Sequence, residues 1–314
     1  MTLSPETLLA AHQSACQYPH TSADMYQRAA LIRIDSGEIV TDDTTHRTLI
    51  HTAPLSLALP QTTQLLPTYN LTLPGKPRSE NSSENSLENR LAIIGIGANS
   101  APSVLIEKFQ KAGIGGTVYL AQATLEKHAV THSAFIGAHA YMPATILPHA
   151  QSQTLITIGF YTPQQAAALT ATEPHYDLVH KTGPIPTRAL DAPATLAHGA
   201  LLYVSIWGGF TDNGTDPVRQ AAIPQTSPLP AQSTLWAAAR AAHITGYGHD
   251  LCAFIQAIKP GAAHLQTRLE HSFKLHPHHA VPATIAGQQI KPAALYKQAD
   301  KIAGLPMLPR IKYL

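Results

Sequence analysis

The sequence predicts a mixed α/β protein of the α+β kind. Three stretches carry that prediction: a buried strand over residues 91–97 that turns into a proline-started helix, a strand over 155–161 that runs into a second capped helix, and an apolar strand over 200–206. With 314 residues the chain has room for one large domain or two smaller ones, and a sizeable core is feasible.

From the N-terminus, Ser4 and Pro5 supply a helix cap and a first helical position, Leu8, Leu9 and Ala11 an apolar stripe, and Pro19 the stop. Ala30-Leu31-Ile32-Arg33-Ile34, the turn Asp35-Ser36-Gly37 and then Glu38-Ile39-Val40 read as a hairpin. Residues 77–90 are mostly Pro, Arg, Ser, Glu and Asn with little to bury, which is the composition of a flexible linker. The strand over 91–97 follows at once. Its turn, Ala98-Asn99-Ser100-Ala101, leads into a helix from Pro102 that carries Val104, Leu105 and Phe109 and ends at Gly113.

Short strands are expected at 117–120, 134–136 and 144–147. After the strand over 155–161, Thr162-Pro163-Gln164-Gln165 makes a capping box with proline at its first position. That helix must stop near Glu173, because Pro174 disfavours the helical conformation of the residue before it. Extended chain returns at 176–179 and 200–206. Beyond Pro224 the apolar spacing turns helical, at 235–243, 251–258, 265–273 and 292–302. The resulting organisation is an N-terminal appendage (1–76), a linker (77–90), a core (91–224) and a helical C-terminal extension (225–314).

Composition excludes several classes of function. Hydrophobic residues make up 44% and charged residues only 13% of the chain, against a usual charged share of about 25%, so the surface relies on Ser, Thr, Gln, Asn and His. The net charge of +2 and the scattered basic residues exclude an electrostatic grip on nucleic acid or on an acidic membrane. The longest apolar runs, 91–98 and 201–207, fall well short of the ~20 residues that span a bilayer. The first residues lack a basic patch followed by an apolar run, so a cytoplasmic, soluble protein is expected.

Cys16 and Cys252 match no metal spacing and no disulfide framework, and read as buried thiols. Among 18 histidines, His276, His278 and His279 cluster in a proline-containing loop, and His132, His139, His175 and His180 fall in the core. No His-Glu-x-x-His is present, so neither a metal nor another cofactor is expected. Ser133 and Ser205 lack the Gly-x-Ser-x-Gly elbow of a serine hydrolase.

The turn after 91–97 is the most informative motif. A helix start presents unpaired amides and partial positive charge, which suits a carboxylate or phosphate. A dinucleotide site would need a third glycine where Ser100 stands and an acid near 120–122, where none occurs. A tight turn with no ligand is the plainer alternative.

Ile96-Gly97-Ala98-Asn99 resembles the Tyr-Gly-Ser-Asn loop of the gamma-glutamylcyclotransferase-like family, at the end of a strand and before a helix. The order downstream is similar too: a strand over 156–161, a proline-started helix from Thr162-Pro163, Glu173 at its end and then Tyr176. The similarity spans about 91–207. It implies a small mixed β-barrel in which one Glu serves as acid-base on a gamma-glutamyl amine or amide and releases 5-oxoproline, with no cofactor and a small-molecule substrate as partner. By the same resemblance Glu173 is the catalytic acid-base, and Ile96, Gly97, Ala98, Asn99, Ser100 and Tyr176 hold the substrate. The chain departs from the family's pattern at Ile96, Ala98 and Pro174, where tyrosine, serine and often glycine stand. A catalytically inactive member that binds a small molecule or a protein is therefore the alternative.

Residue chemistry gives Glu173 an independent reading. It closes a helix, where the dipole works against a negative charge. A carboxyl group able to take a proton and return it suits general acid-base work. The alternative is an ordinary exposed acid before a helix stop. His175, two residues on, is within reach of the Glu or of a substrate.

Overall fold

The computed structural model describes residues 30–41, 53–54, 69–72, 86–134, 143–189, 192–196, 199–210, 219–221, 280–281 and 287–290. The helices expected before residue 20 and at 235–243, 251–258, 265–273 and 292–302 lie outside the described residues, as do both cysteines, His139 and the cluster at His276.

The expected hairpin forms from β1 (Ala30–Arg33) and β2 (Glu38–Thr41), with Ala30 opposite Thr41. Gly37 takes a φ of 70°, a left-handed conformation that glycine adopts without a Cβ clash. The other edge of β1 pairs with β6 (Thr117–His132), Ile32 lying opposite Val118, so this hairpin of the N-terminal segment is built into the sheet. β3 (Ala53–Pro54) pairs with β4 (Tyr69–Thr72), and β4 with β5 (Ser86–Gly95). β5 begins inside the stretch read as linker. Its partner across the sheet, β4, lies too far off in sequence for local composition to reveal the pairing.

After β5 come a 3-10 turn (Gly97–Ser100), helix α1 (Pro102–Lys111), β6, β7 (Ala144–Tyr161) and helix α2 (Pro163–Ala171). The chain continues through β8 (Tyr176–Lys181), β9 (Ile185–Ala189), β10 (Ala192–Leu196), β11 (Ala200–Ser205), β12 (Gly209–Phe210), β13 (Arg219–Ala221), β14 (Ala280–Val281) and β15 (Gln288–Ile290). The result is a mixed α/β fold with a large, mostly antiparallel sheet in the order β10-β9-β6-β7-β5-β11-β8-β15, open among the described residues. β5 is antiparallel to β7, with Leu91 opposite Tyr161, and parallel to β11, with Ile93 opposite Leu201.

The short strands expected at 117–120 and 144–147 are the first residues of β6 and β7, which run for 16 and 18 residues. Lys127 bends β6 with a φ of 57°, which breaks the alternation that sequence patterning depends on. Ala134 sits in a bend beyond β6 rather than in the strand expected at 134–136, whose other two residues are outside the description. β9 and β10 each contain a proline, Pro186 and Pro193, which argues against a strand in sequence. In the sheet, β6 meets β9 only at Arg188 and Thr187, so Pro186 owes β6 no amide hydrogen.

The chain divides into two compact units. One comprises Met1–Ser22, Glu126–Thr154 and Val204–Thr284. Among its described residues, the polar Thr131, His132, Ser133, Thr145, Thr154 and Ser205 are buried beside apolar Val130, Ile146, Leu147 and Val204. Hydrogen bonds satisfy such groups, with the Thr154 hydroxyl donating to the His128 carbonyl (2.8 Å) and the Ser205 amide to Thr145 Oγ1 (3.0 Å).

The other unit comprises Ala23–Leu125, Leu155–Tyr203 and Ile285–Leu314. Here both helices share one apolar cluster with the sheet. Leu105, Ile106 and Phe109 from α1 and Ala166 to Leu169 from α2 meet Leu91, Ile93, Val118, Leu120 and Leu201. Each large apolar side chain so buried contributes roughly 1.5–3 kcal/mol over its exposed state.

The start of α2 is tied down twice. Thr162 Oγ1 accepts from the Gln165 amide (3.1 Å) while Gln165 Oε1 accepts from the Thr162 amide (2.9 Å), the expected capping box. Arg90 Nη1 donates to Gln165 Oε1 (3.1 Å) and to the Thr117 carbonyl (2.7 Å). Burial pushes the Arg90 guanidinium down to about 10, which leaves it charged at neutral pH. Thr162→Ala is expected to cost about 1 kcal/mol, the usual value of a lost N-cap, readable as a lower urea midpoint with an unchanged slope. A midpoint equal to that of the parent protein would show that the Arg90 contact holds the helix start without the cap.

Candidate active site

The strand-to-helix turn is held from within. Gly97 opens it with a φ of 56°, and the Ser100 hydroxyl donates to the Gly97 carbonyl at 2.6 Å. The Ala101 amide donates to the Ala98 carbonyl at 3.2 Å. The chain returns so closely on β5 that a Cβ at Gly95 would lie 2.5 Å from the Asn99 carbonyl oxygen. These contacts fix the Asn99 backbone, and with it the origin of its side chain. Pro102 then starts α1 at a position where the missing amide hydrogen is no loss.

α2 ends at Ala171, and the carbonyls of its last turn are taken up locally. The Thr172 hydroxyl donates to the Leu169 carbonyl (2.8 Å) and the Glu173 amide to the Thr170 carbonyl (3.1 Å). The helix stops before Pro174, as expected, and the carboxylate of Glu173 turns toward the loop and α1.

Four side chains converge there. Asn99 Nδ2 donates to Glu173 Oε1 at 3.0 Å, joining residues 74 positions apart. Lys108 Nζ donates to the same Oε1 at 2.8 Å, to Asn99 Oδ1 at 2.8 Å and to Thr172 Oγ1 at 3.1 Å. Thr172 Oγ1 also lies 3.3 Å from Glu173 Oε1. An ammonium has three hydrogens and no acceptor, so these three partners use all that Lys108 offers. The network also sets the orientation of the Asn99 amide, since the reverse would put its carbonyl against a carboxylate and its NH2 against an ammonium.

The pair is mostly withdrawn from solvent, with Lys108 and Glu173 side chains 22% and 14% exposed. The Lys108 charge opposes the unfavourable field that the end of α2 imposes on Glu173. Glu173 thereby has a cationic partner that sequence reading missed. A signal existed: Lys108 lies three residues after buried Leu105 and one before buried Phe109, so it flanks the packed stripe of α1.

Of the residues singled out in the sequence, Asn99 and Glu173 are in direct contact. Ile96, just before the turn, and Ala98, within it, are half-buried, and Gly97 shapes it. Ser100 is buried and directs its hydroxyl back into its own turn. Tyr176 donates its amide to the Glu173 carbonyl at 3.2 Å, and its half-buried ring packs on the apolar cluster. His175 is half-buried. Among the described residues there is no group of three or more His, Cys, Asp or Glu arranged for a metal ion, and no helix long and apolar enough to cross a membrane.

The chain matches no family model, no curated protein and no solved structure. Its chemistry is therefore read from the groups themselves: a carboxylate, a carboxamide, an ammonium and a hydroxyl, beside a turn whose opening amides have no partner inside it.

Proposed function

We propose that the chain is a divergent gamma-glutamylcyclotransferase-like protein that carries out cyclotransfer, or related amide chemistry, on a small gamma-glutamyl-type substrate. The small mixed barrel of that family belongs to the proposal. One observation carries it: Asn99, in the loop that resembles the family's substrate loop, donates to the carboxylate of Glu173, at the position that resembles the family's acid-base.

In this reading Glu173 removes a proton from the substrate's alpha-amine. The amine attacks its own side-chain carbonyl, the five-membered ring closes, and Glu173 returns the proton to the departing nitrogen. Ring closure within one molecule needs mainly alignment, which can supply several kcal/mol of the barrier. Amides of the loop at Gly97 and Ala98 suit either the developing oxyanion or the substrate carboxylate. Backbone amides are indifferent to the side chains attached to them, so Ile96 and Ala98 leave this part of the chemistry available.

A second reading has its own support. All three Lys108 hydrogens are engaged within the cluster, as in a purely structural tie between α1 and the end of α2. A binding module without chemistry fits that saturation.

Incubation with a panel of gamma-glutamyl amines and amino acids separates the two. Cyclotransfer predicts 5-oxoproline from the parent protein and a loss of at least about a hundredfold in Glu173→Gln, the lower range for a positioned general acid-base. Equal product from both proteins would remove Glu173 from the mechanism. Saturable binding of the same compounds without product would favour the module.

A further inference from the structure

The two oxygens of Glu173 are unequal. Oε1 accepts from two donors, Asn99 Nδ2 and Lys108 Nζ, and lies 3.3 Å from Thr172 Oγ1, whose hydrogen goes to the Leu169 carbonyl. Oε2 accepts no hydrogen bond among the described residues. A carboxylate oxygen whose lone pairs already receive an ammonium and an amide has little room to accept a substrate proton, whereas the other retains its own. Lys108 does most to create this difference. It is the charged donor, and by holding Asn99 Oδ1 it also aims the Asn99 amide at the same oxygen.

We infer that Lys108 is a positioning residue for acid-base chemistry at Glu173, and that it occupies Oε1 so that Oε2 is the atom that exchanges protons with the substrate. The inference rests on the cyclotransfer reading and assigns the role within it. Because the Lys108 hydrogens are all engaged by Asn99, Thr172 and Glu173, the lysine does not act by binding the substrate's carboxylate. Its contribution falls on the chemical step.

That division is measurable as a split between kcat and KM. In Lys108→Met the carboxylate keeps its chemistry but loses its anchor. A misplacement of that kind lowers kcat by roughly tenfold to a hundredfold. KM should stay within about twofold, the pattern of an interaction that matters in the transition state and not in substrate binding. The assay is 5-oxoproline release from gamma-glutamylalanine by the full chain, run beside Glu173→Gln, with thermal melts as the folding control. A raised KM with unchanged kcat would overturn the inference by making Lys108 a substrate contact. So would a kcat equal to the parent's in Lys108→Met while Glu173→Gln is inactive, and in that case the cyclotransfer reading itself survives. If the parent protein releases no 5-oxoproline, or Glu173→Gln matches it, the reading falls and this inference with it. Should Lys108→Met not fold, Thr172→Val is read by the same criteria. It removes one acceptor from the ammonium and leaves the charge, and a smaller loss of kcat at constant KM is expected.

Discussion

Replacing Phe109 with alanine is expected to destabilise the protein by about 3–5 kcal/mol, the range for emptying a buried aromatic site. Phe109 is 1% exposed and lies on the cluster side of α1, with its ring centroid 5.9 Å from that of Tyr161. Tyr161 is itself 1% exposed, so the vacated volume would be walled by buried side chains. Domains are stable by only about 5–15 kcal/mol, so a loss of this size consumes much of the margin. Urea unfolding of Phe109→Ala and Phe109→Leu measures it. The leucine variant should retain more than half of the lost stability, and a cost below about 1 kcal/mol for alanine would mean that α1 is not packed as described.

The same helix carries Lys108, which links this result to the site. A loosened α1 moves the ammonium away from Glu173 even though no polar group has been changed. Under the proposed function, Phe109→Ala should therefore depress 5-oxoproline release at temperatures well below its unfolding midpoint.

The second large effect is expected at Gly95. A Cβ there would lie 2.5 Å from the Asn99 carbonyl oxygen and 3.0 Å from its carbon. Both atoms are backbone, so no side chain can swing aside, and the turn itself must shift. Overpacking of this kind costs roughly 1–3 kcal/mol. Its sharper consequence is at the Asn99 amide, which should leave Glu173. In Gly95→Ala the side-chain NH2 resonances of Asn99 should move while those of distant amides stay in place. A variant with the parent's melting temperature and unshifted Asn99 signals would show that the turn has room the distances deny.

Local chemistry made part of the fold legible. The hairpin at Ala30 to Thr41 has a turn glycine between two apolar runs, and α2 has both halves of its capping box in four consecutive residues. Such signals need no information from elsewhere in the chain. The stop of α2 before Pro174 was legible for the same reason. The front of β5 was not, because Ser86 to Arg90 look like linker until β4 pairs with them. β9 and β10 were hidden by their prolines, and the lengths of β6 and β7 by polar residues that the sheet tolerates inside extended chain.

The site divides in the same way. Asn99 and Glu173 were found because each sits at an element boundary, where residue type is informative. Lys108 was not, since a lysine within an amphipathic helix is ordinary until its three partners are seen around it. Thr172 was overlooked for a like reason, as the neighbour of a more conspicuous acid. The meeting itself depends on α1 and α2 sharing one apolar cluster, which is a tertiary fact.

The parallel contact between β5 and β11 has a consequence for assembly. Ile93 and Ile94 gain Leu201 and Leu202 as neighbours only after α1, five intervening strands and α2 have been traversed. A nascent chain therefore leaves the ribosome with that edge of β5 bare for a long interval, and the closing step is among the most non-local in this unit. Pairings of this kind slow folding and expose sticky edges on the way. Crowding or a shortage of chaperones during synthesis should then harm yield far more than it harms the finished molecule.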